Sequence, residues 1–114
     1  MSLLPPDREH IRDMLEWAGK GQRFVAGLSE DQFLQDERAQ SAVLHALMVI
    51  GEAAARVSSD THAAHPEIPW REIRGMRNRI AHDYVGVDID EVWRTVAVDL
   101  PALTMALETA LARL

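Results

Sequence analysis

Ala42-Val43-Leu44-His45-Ala46-Leu47-Met48-Val49-Ile50 is the longest apolar run in the chain, interrupted only by His45. It falls well short of the roughly 20 residues that a membrane-spanning helix needs, so it reads as part of a buried helix. Working outward, Asp36 offers a cap, and Ala39, Val43, Leu47, Ile50, Ala54 and Val57 recur on one helical stripe. Leu44 and Met48 widen the apolar surface beyond that stripe. A helix apolar on two sides needs two partners. One is the rest of the domain. The other is either a second copy of the chain, which makes a homodimer the working expectation, or further elements of the same chain.

The flanking sequence supplies those elements. Asp7 follows Pro5-Pro6 and can accept amide hydrogens at a helix start. Ile11, Met14, Leu15, Ala18, Val25 and Leu28 then mark a first helix from about Arg8 to Ala26, with Gly27 as its end. Ser29 and Gln32 have capping-box spacing and open a short turn before Asp36. Ser58 to Pro69 carries the residues of a loop, and Pro69 can start a helix at Trp70 that turns Ile73, Met76 and Ile80 inward. That helix frays near His82. Asp88 and Glu91 signal a cap for the last helix, striped by Val92, Val96, Leu100, Leu103, Leu107 and Leu111 and kinked at Pro101. The expected fold is all-α: a small up-down bundle of four to five helices in one domain, residues 1–114.

Length and composition agree. The 114 residues, 47% of them hydrophobic, suffice for one core without staples and exclude a two-domain enzyme. The absence of cysteine removes disulfides, thiolate nucleophiles and Cys-based zinc sites. Met1-Ser2-Leu3-Leu4 and the residues after it lack the basic and apolar regions of a signal peptide, so the expected location is cytoplasmic, with no membrane partner. A net charge of −6 argues against a protein that coats nucleic acid through its overall field.

The charge is unevenly placed. Between Arg71 and His82 stand Arg71, Arg74, Arg77 and Arg79 against Glu72 alone, a local +3 that leaves −9 for the remainder. Arginine in such concentration suits bidentate contact with phosphate; it suits equally a solvated face pairing with acids elsewhere. His82 adds a group able to move a proton near neutral pH, Arg77 can hold a phosphoryl oxygen as charge builds, and Asn78 can orient either. On a continuous helix, Arg77 and His82 stand about 140° apart. Either the helix ends before His82 and the chain turns back, or a second protomer completes the site.

Gly75-Met76-Arg77-Asn78-Arg79-Ile80-Ala81-His82-Asp83-Tyr84 resembles the Arg-x4-His-x-Tyr pattern of the HepT group of HEPN-domain proteins. Ile50-Gly51-Glu52-Ala53-Ala54, Ile68-Pro69-Trp70 and Asp99-Leu100-Pro101 fit the same family, and the likeness runs from about Ile11 to Leu111. It implies a HEPN-like helical homodimer that acts as the ribonuclease toxin of a toxin–antitoxin pair and cleaves RNA without metal or other cofactor. Carried over, Arg77 stabilises the scissile phosphate, Asn78 supports it and His82 is the general acid or base; with RNA as the substrate, the local charge of the arginine block makes Arg71, Arg74 and Arg79 the expected RNA-binding residues. Tyr84, the only tyrosine, would be AMPylated by a nucleotidyltransferase antitoxin, placing an anionic group two residues from His82. Read without the resemblance, Tyr84 is an aromatic that anchors a helix end.

A rival of another class keeps the fold and drops the catalysis: a helical dimer that binds a nucleotide or a protein partner through the arginine patch. Elsewhere, His62 and His65 with Glu67 form either a weak metal pair or, the preferred reading, a surface group. His45 is expected in the core or a dimer interface, and His10 exposed in the first turn. Glu52 either pairs with an arginine near the cleft or is solvated.

Overall fold

A computed structural model of the chain describes residues 5–113; Met1 to Leu4, part of the leader reading, and Leu114 lie outside the described residues. Those described residues form α1 (Pro5–Phe24), α2 (Glu30–Leu34), α3 (Glu37–Arg56), α4 (Ser59–Ala64), α5 (Trp70–His82), α6 (Ile89–Arg94), a π-helical turn (Thr95–Asp99) and α7 (Leu100–Ala112). No strand occurs among them. Because α6, the π turn and α7 are continuous, there are four long rods with two short helices between them. The thinnest dimension is 18 Å, which accommodates two layers of helices and no third.

Asp36 caps α3 as the sequence indicates, its Oδ1 accepting the Ala39 amide at 3.0 Å. Half the circumference of α3 is buried, including Val43, Leu44, Leu47, Ile50 and Ala54, while Met48 is half-buried. The cover comes from the same chain: α1 lies along α3 on one side and α5 on another, with α2 and α6 near its start. The breadth of its apolar surface therefore supplies no argument for a second copy.

The remaining rods follow their stripes. Ile11, Met14 and Ala18 bury α1, and Val92, Val96, Leu100, Leu103 and Leu107 bury the last rod, whose α7 portion packs on α1. Gly27 adopts φ +81°, the left-handed conformation that ends a helix run with little cost for glycine. Ser29 and Gln32 make the reciprocal capping box, with Gln32 N–H on Ser29 Oγ at 3.2 Å and Ser29 N–H on Gln32 Oε1 at 2.9 Å.

Several local expectations are corrected. Asp7 sits inside α1 rather than capping it, and its carboxylate is drawn to the far side of the fold. It accepts from Ser58 N–H at 2.9 Å and from the hydroxyls of Ser58 and Thr61 at 2.6 Å each. The segment read as a loop contains α4, because Ser58 caps it through the Thr61 amide. Asp88 caps α6, but Glu91 is turned to Arg79 instead of closing a box. At Pro101 the rod accommodates its missing donor with a π turn upstream, where Leu100 N–H bonds the Thr95 carbonyl five residues back.

Candidate active site on the fifth helix

The helix α5 is held to the bundle by Met76 and Ile80, which are buried, and by Ile73, which is half-buried. With a strong inward stripe at these positions, the opposite face is left outward. That face carries Arg71, Arg74, Asn78, Ala81 and His82, all exposed, with half-buried Arg77 at its edge toward α3. Ala81 lies between the angular positions of Arg77 and Asn78, so nothing bulky stands between the site candidates on this face.

Regular helix persists through His82, and Asp83 N–H closes it on the Arg79 carbonyl at 3.0 Å. Of the two sequence-level options for bringing Arg77 and His82 together, a helix that ends before His82 is therefore removed. Within one chain they remain about 140° apart around the axis. Just beyond, Asp83 Oδ1 accepts the Gly86 amide at 2.8 Å, a tight side-chain-to-backbone turn that holds Tyr84 and Val85 out in solvent. Tyr84 is 49% exposed, so it does not anchor the helix end in the core.

Arg77 owes its position to Gly51 on α3. A methyl group at residue 51 would stand 2.5 Å from Arg77 Cβ and 2.8 Å from Cγ, so the arginine stem occupies the space that any other residue would fill. One residue on, Glu52 Oε1 lies 3.0 Å from Arg77 Nε. The Nε–H is not aligned on that oxygen and has no hydrogen-bond acceptor, so the contact is ionic rather than a directed hydrogen bond. Of the two sequence readings of Glu52, the arginine pair is the one adopted.

The four arginines are not equivalent. Arg79 points away from the exposed stripe and donates to Glu91 of α6 at 2.6 Å. This pair spans the mouth of a hollow of about 450 Å³ between α5 and the last rod, floored by Leu47, Ile50, Met76 and Leu103. Arg79 is thus committed to a carboxylate. Among the described residues, Arg71 and Arg74 have no carboxylate within ion-pair reach. The sequence block of +3 resolves into two uncommitted cations, one held beside Glu52 and one bridged.

The histidines outside α5 differ from expectation. His65 is buried, not at the surface, with Nδ1 3.3 Å from Glu67 Oε1. His62 Nε2 bonds the Ala54 carbonyl at 3.0 Å, which requires the proton on that nitrogen, and its ring stacks on Trp70 at 4.1 Å. Both are used by the fold, and among the described residues no group of three or more His, Asp or Glu side chains could hold a metal. His45 is exposed on the single chain, which removes the core reading and not the interface one, and its ring stands edge-on to Trp17 at 5.1 Å. His10 is half-buried beside the Asp7 network. Sequence reasoning missed the Trp70–His62 stack and the capture of Arg79 by Glu91, since neither pair has a local spacing signal; the mid-helix Gly51 was the one legible clue to a close approach.

The chain is thus an all-helical bundle with an arginine, an amide and a histidine on the outward side of one helix and a tyrosine in the turn beyond. The chain belongs to the ribonuclease HepT-like family, whose model matches residues 14–110. It is 38% identical over 96 residues to a Thermococcus cleftensis protein named "Probable ribonuclease HepT", covering 84% of this chain and 87% of that one. It is 32% identical over 98 residues to a Methanocaldococcus jannaschii protein named "Putative RNase MJ1380", covering 86% and 90%. A Caldanaerobacter subterraneus protein named "Putative RNase TTE0752" is 33% identical, covering 86% and 85%. No solved structure matches the chain significantly.

Proposed function

We propose that the chain is a metal-independent endoribonuclease toxin, working as a cytoplasmic homodimer of single-domain protomers and silenced by AMPylation of Tyr84. The observation that carries this reading is the placement of exposed Asn78 and His82, with half-buried Arg77 at their edge, on one unbroken helix. Family membership and the RNase names of the relatives support the substrate class.

Cleavage needs no protein nucleophile. The ribose 2′-oxygen attacks the adjacent phosphorus, the bond to the 5′-oxygen breaks, and the products are a 2′,3′-cyclic phosphate and a 5′-hydroxyl. His82 takes the 2′-hydroxyl proton or protonates the leaving 5′-oxygen, and Arg77 stabilises the charge gathering on the phosphoryl oxygens, with Asn78 as a further donor. Because Arg77 and His82 diverge on one helix, a cleft that uses both is completed by the α5 of a partner copy. Tyr84 is accessible to a nucleotidyltransferase antitoxin, and an AMP group there would bring negative charge next to the face on which RNA phosphates bind.

The test is cleavage of single-stranded RNA by the full chain in the presence of a chelator. Wild-type protein should cut and leave a 2′,3′-cyclic end, and His82→Ala should lose about 10²–10⁴-fold in rate. Cleavage abolished by chelator, or undiminished in His82→Ala, refutes the mechanism; RNA binding without cleavage returns the binding-module alternative.

A further inference from the structure

Trp70, Arg74, Arg77 and Ala81 follow one another on α5 at steps of four, three and four, which places all four within about 60° around the axis. This stripe runs beside the small residues of α3. Where it begins, the two helices enclose a hollow of about 250 Å³ lined by Gly51, Ala54, Ala55, His62, Trp70 and Arg74. Gly51 is also the residue against which the Arg77 stem rests, so the hollow adjoins the proposed catalytic arginine.

The walls are fixed in place. The Trp70 indole donates its Nε1–H to the His65 carbonyl at 3.0 Å, and His62 is tied to the Ala54 carbonyl at the same distance. Their rings stack with an interplanar angle of 20°, so the hollow is lined by an aromatic pair held in place before any ligand arrives. Ala54 and Ala55 also line it, and so does Arg74, which is exposed and has no carboxylate partner among the described residues. A small recess with an aromatic lining and a guanidinium that has no carboxylate partner among the described residues suits a nucleobase and its phosphate. Base edges in a duplex are stacked and inaccessible to such a recess, whereas an unpaired base can be splayed into it. Its volume is below the roughly 300–1,000 Å³ of pockets that take drug-sized ligands, which fits one base and not two.

We propose that this hollow is a subsite for one unpaired base of the RNA strand next to the cleaved bond, with Arg74 on the adjoining phosphate. The proposal rests on the ribonuclease reading and adds to it a requirement for single-stranded substrate near Trp70. Arg77 and His82 act on the phosphate and the protons, while the hollow sets which strand geometry reaches them.

Ala55 offers a direct test, since it lines the hollow yet is exposed, so Ala55→Leu fills the recess without entering the core. Binding is read by fluorescence anisotropy on a His82→Ala background, which keeps the strand intact, using an unstructured labelled RNA and an abasic strand of the same length. Ala55→Leu should weaken the base-bearing RNA by about tenfold, the scale of one lost base stack, and leave the abasic strand unchanged. Arg74→Gln should weaken both. Equal binding of the base-bearing RNA by parent and Ala55→Leu overturns the subsite alone, as does equal weakening of both strands. Ala55-sensitive binding of free AMP with no binding of either strand replaces the subsite by a mononucleotide site. If the unsubstituted protein neither binds nor cuts RNA, the ribonuclease reading falls and the subsite with it. Should Ala55→Leu fail to fold, photocrosslinking of 5-iodouridine RNA to the parent decides: crosslinks at Trp70 or His62 support the subsite, and crosslinks confined to other residues overturn it.

Discussion

Glu52 and Arg77 meet across the α3–α5 interface at 3.0 Å, in an ionic contact that leaves the arginine without a directed hydrogen bond to any described residue. The carboxylate fixes the direction of the guanidinium; the Nε donor is buried, and the terminal Nη donors stay available to a phosphate. Arg77 is half-buried but Glu52 is 50% exposed, so solvent screens the pair and it contributes only about 0–1 kcal/mol to stability. Glu52→Ala should therefore leave the melting temperature nearly unchanged and lower RNA cleavage, in kcat more than in KM, by about tenfold, a loss of transition-state stabilisation alone. Glu52→Gln, which keeps the shape without the charge, should fall between. A melting temperature that falls as steeply as the activity would assign Glu52 to the fold instead.

Gly51 and Gly75 should respond oppositely to alanine. At Gly51 the new methyl meets Arg77 Cβ at 2.5 Å, close to the backbone where no flexible end can yield, so α3 and α5 must separate. Overpacking of this kind costs about 1–3 kcal/mol, and Gly51→Ala should lower both melting temperature and cleavage. At Gly75 the nearest atom is the tip of Arg79 at 3.6 Å, an ordinary contact. There the helix preference of alanine should raise stability by about 0.5–1 kcal/mol. Thermal melts of the two variants check both signs.

The Asp7 carboxylate predicts an acid-sensitive clasp between α1 and the start of α4. Burial pushes its pKa up, but the hydrogen bonds from Ser58 and Thr61 side chains and the Ser58 amide, with His10 nearby, outweigh burial and hold it below the ordinary carboxylate value. A folded-state pKa below the unfolded one means that the contribution is full above about pH 4 and is lost as pH falls through the lowered value. Asp7→Ala should cost about 1–3 kcal/mol at pH 7, since it strands three donors. The gap between variant and wild type in denaturant melts should narrow in acid. A gap independent of pH between 2 and 7, on the order of the titration range of a carboxylate, would remove the charged clasp.

A cleft shared between copies predicts complementation. Arg77→Ala and His82→Ala, each inactive alone, should regain RNA cleavage when mixed and allowed to exchange protomers. No recovery, with mixed dimers shown to form by mass, would confine the site to one chain.

Modification at Tyr84 predicts a mass gain of one AMP on incubation with a cognate nucleotidyltransferase and ATP, and loss of cleavage in step with it. Tyr84→Phe should gain no mass and stay active in the enzyme's presence. Equal gain in both proteins would place the modification elsewhere.

What could be read from the sequence was local. Caps at Ser29 and Asp36, the stripes of α1, α3 and the last rod, and the end of α5 at His82 all follow from spacing between neighbours. The breadth of the apolar face of α3 was legible too, but its cover was not, because the packing of α1 and α5 on opposite sides of one helix is a long-range fact. The same holds for the arginine block: four charges are visible in a row, whereas the capture of Arg79 by Glu91 depends on where a rod twelve residues later comes to lie. The buried His65 and the helix at Ser59–Ala64 were hidden by turn-forming residues whose hydrogen bonds run instead to Asp7 and Trp70.

The π turn at Thr95–Asp99 is in effect one residue inserted into an otherwise regular rod. Val92, Val96 and Leu100 are spaced by fours, and in an unbroken α-helix each such step would drift by about 40° away from α1. The wider turn absorbs that drift and delivers Leu103 and Leu107 to the interface. The rod therefore behaves as a phase-locked element with respect to chain length. A deletion of one residue between Thr95 and Asp99 would let the turn close to regular α-helix with Leu103 and Leu107 still facing the core, whereas the same deletion inside α7, which has no extra residue to give up, would rotate everything beyond it by about 100°.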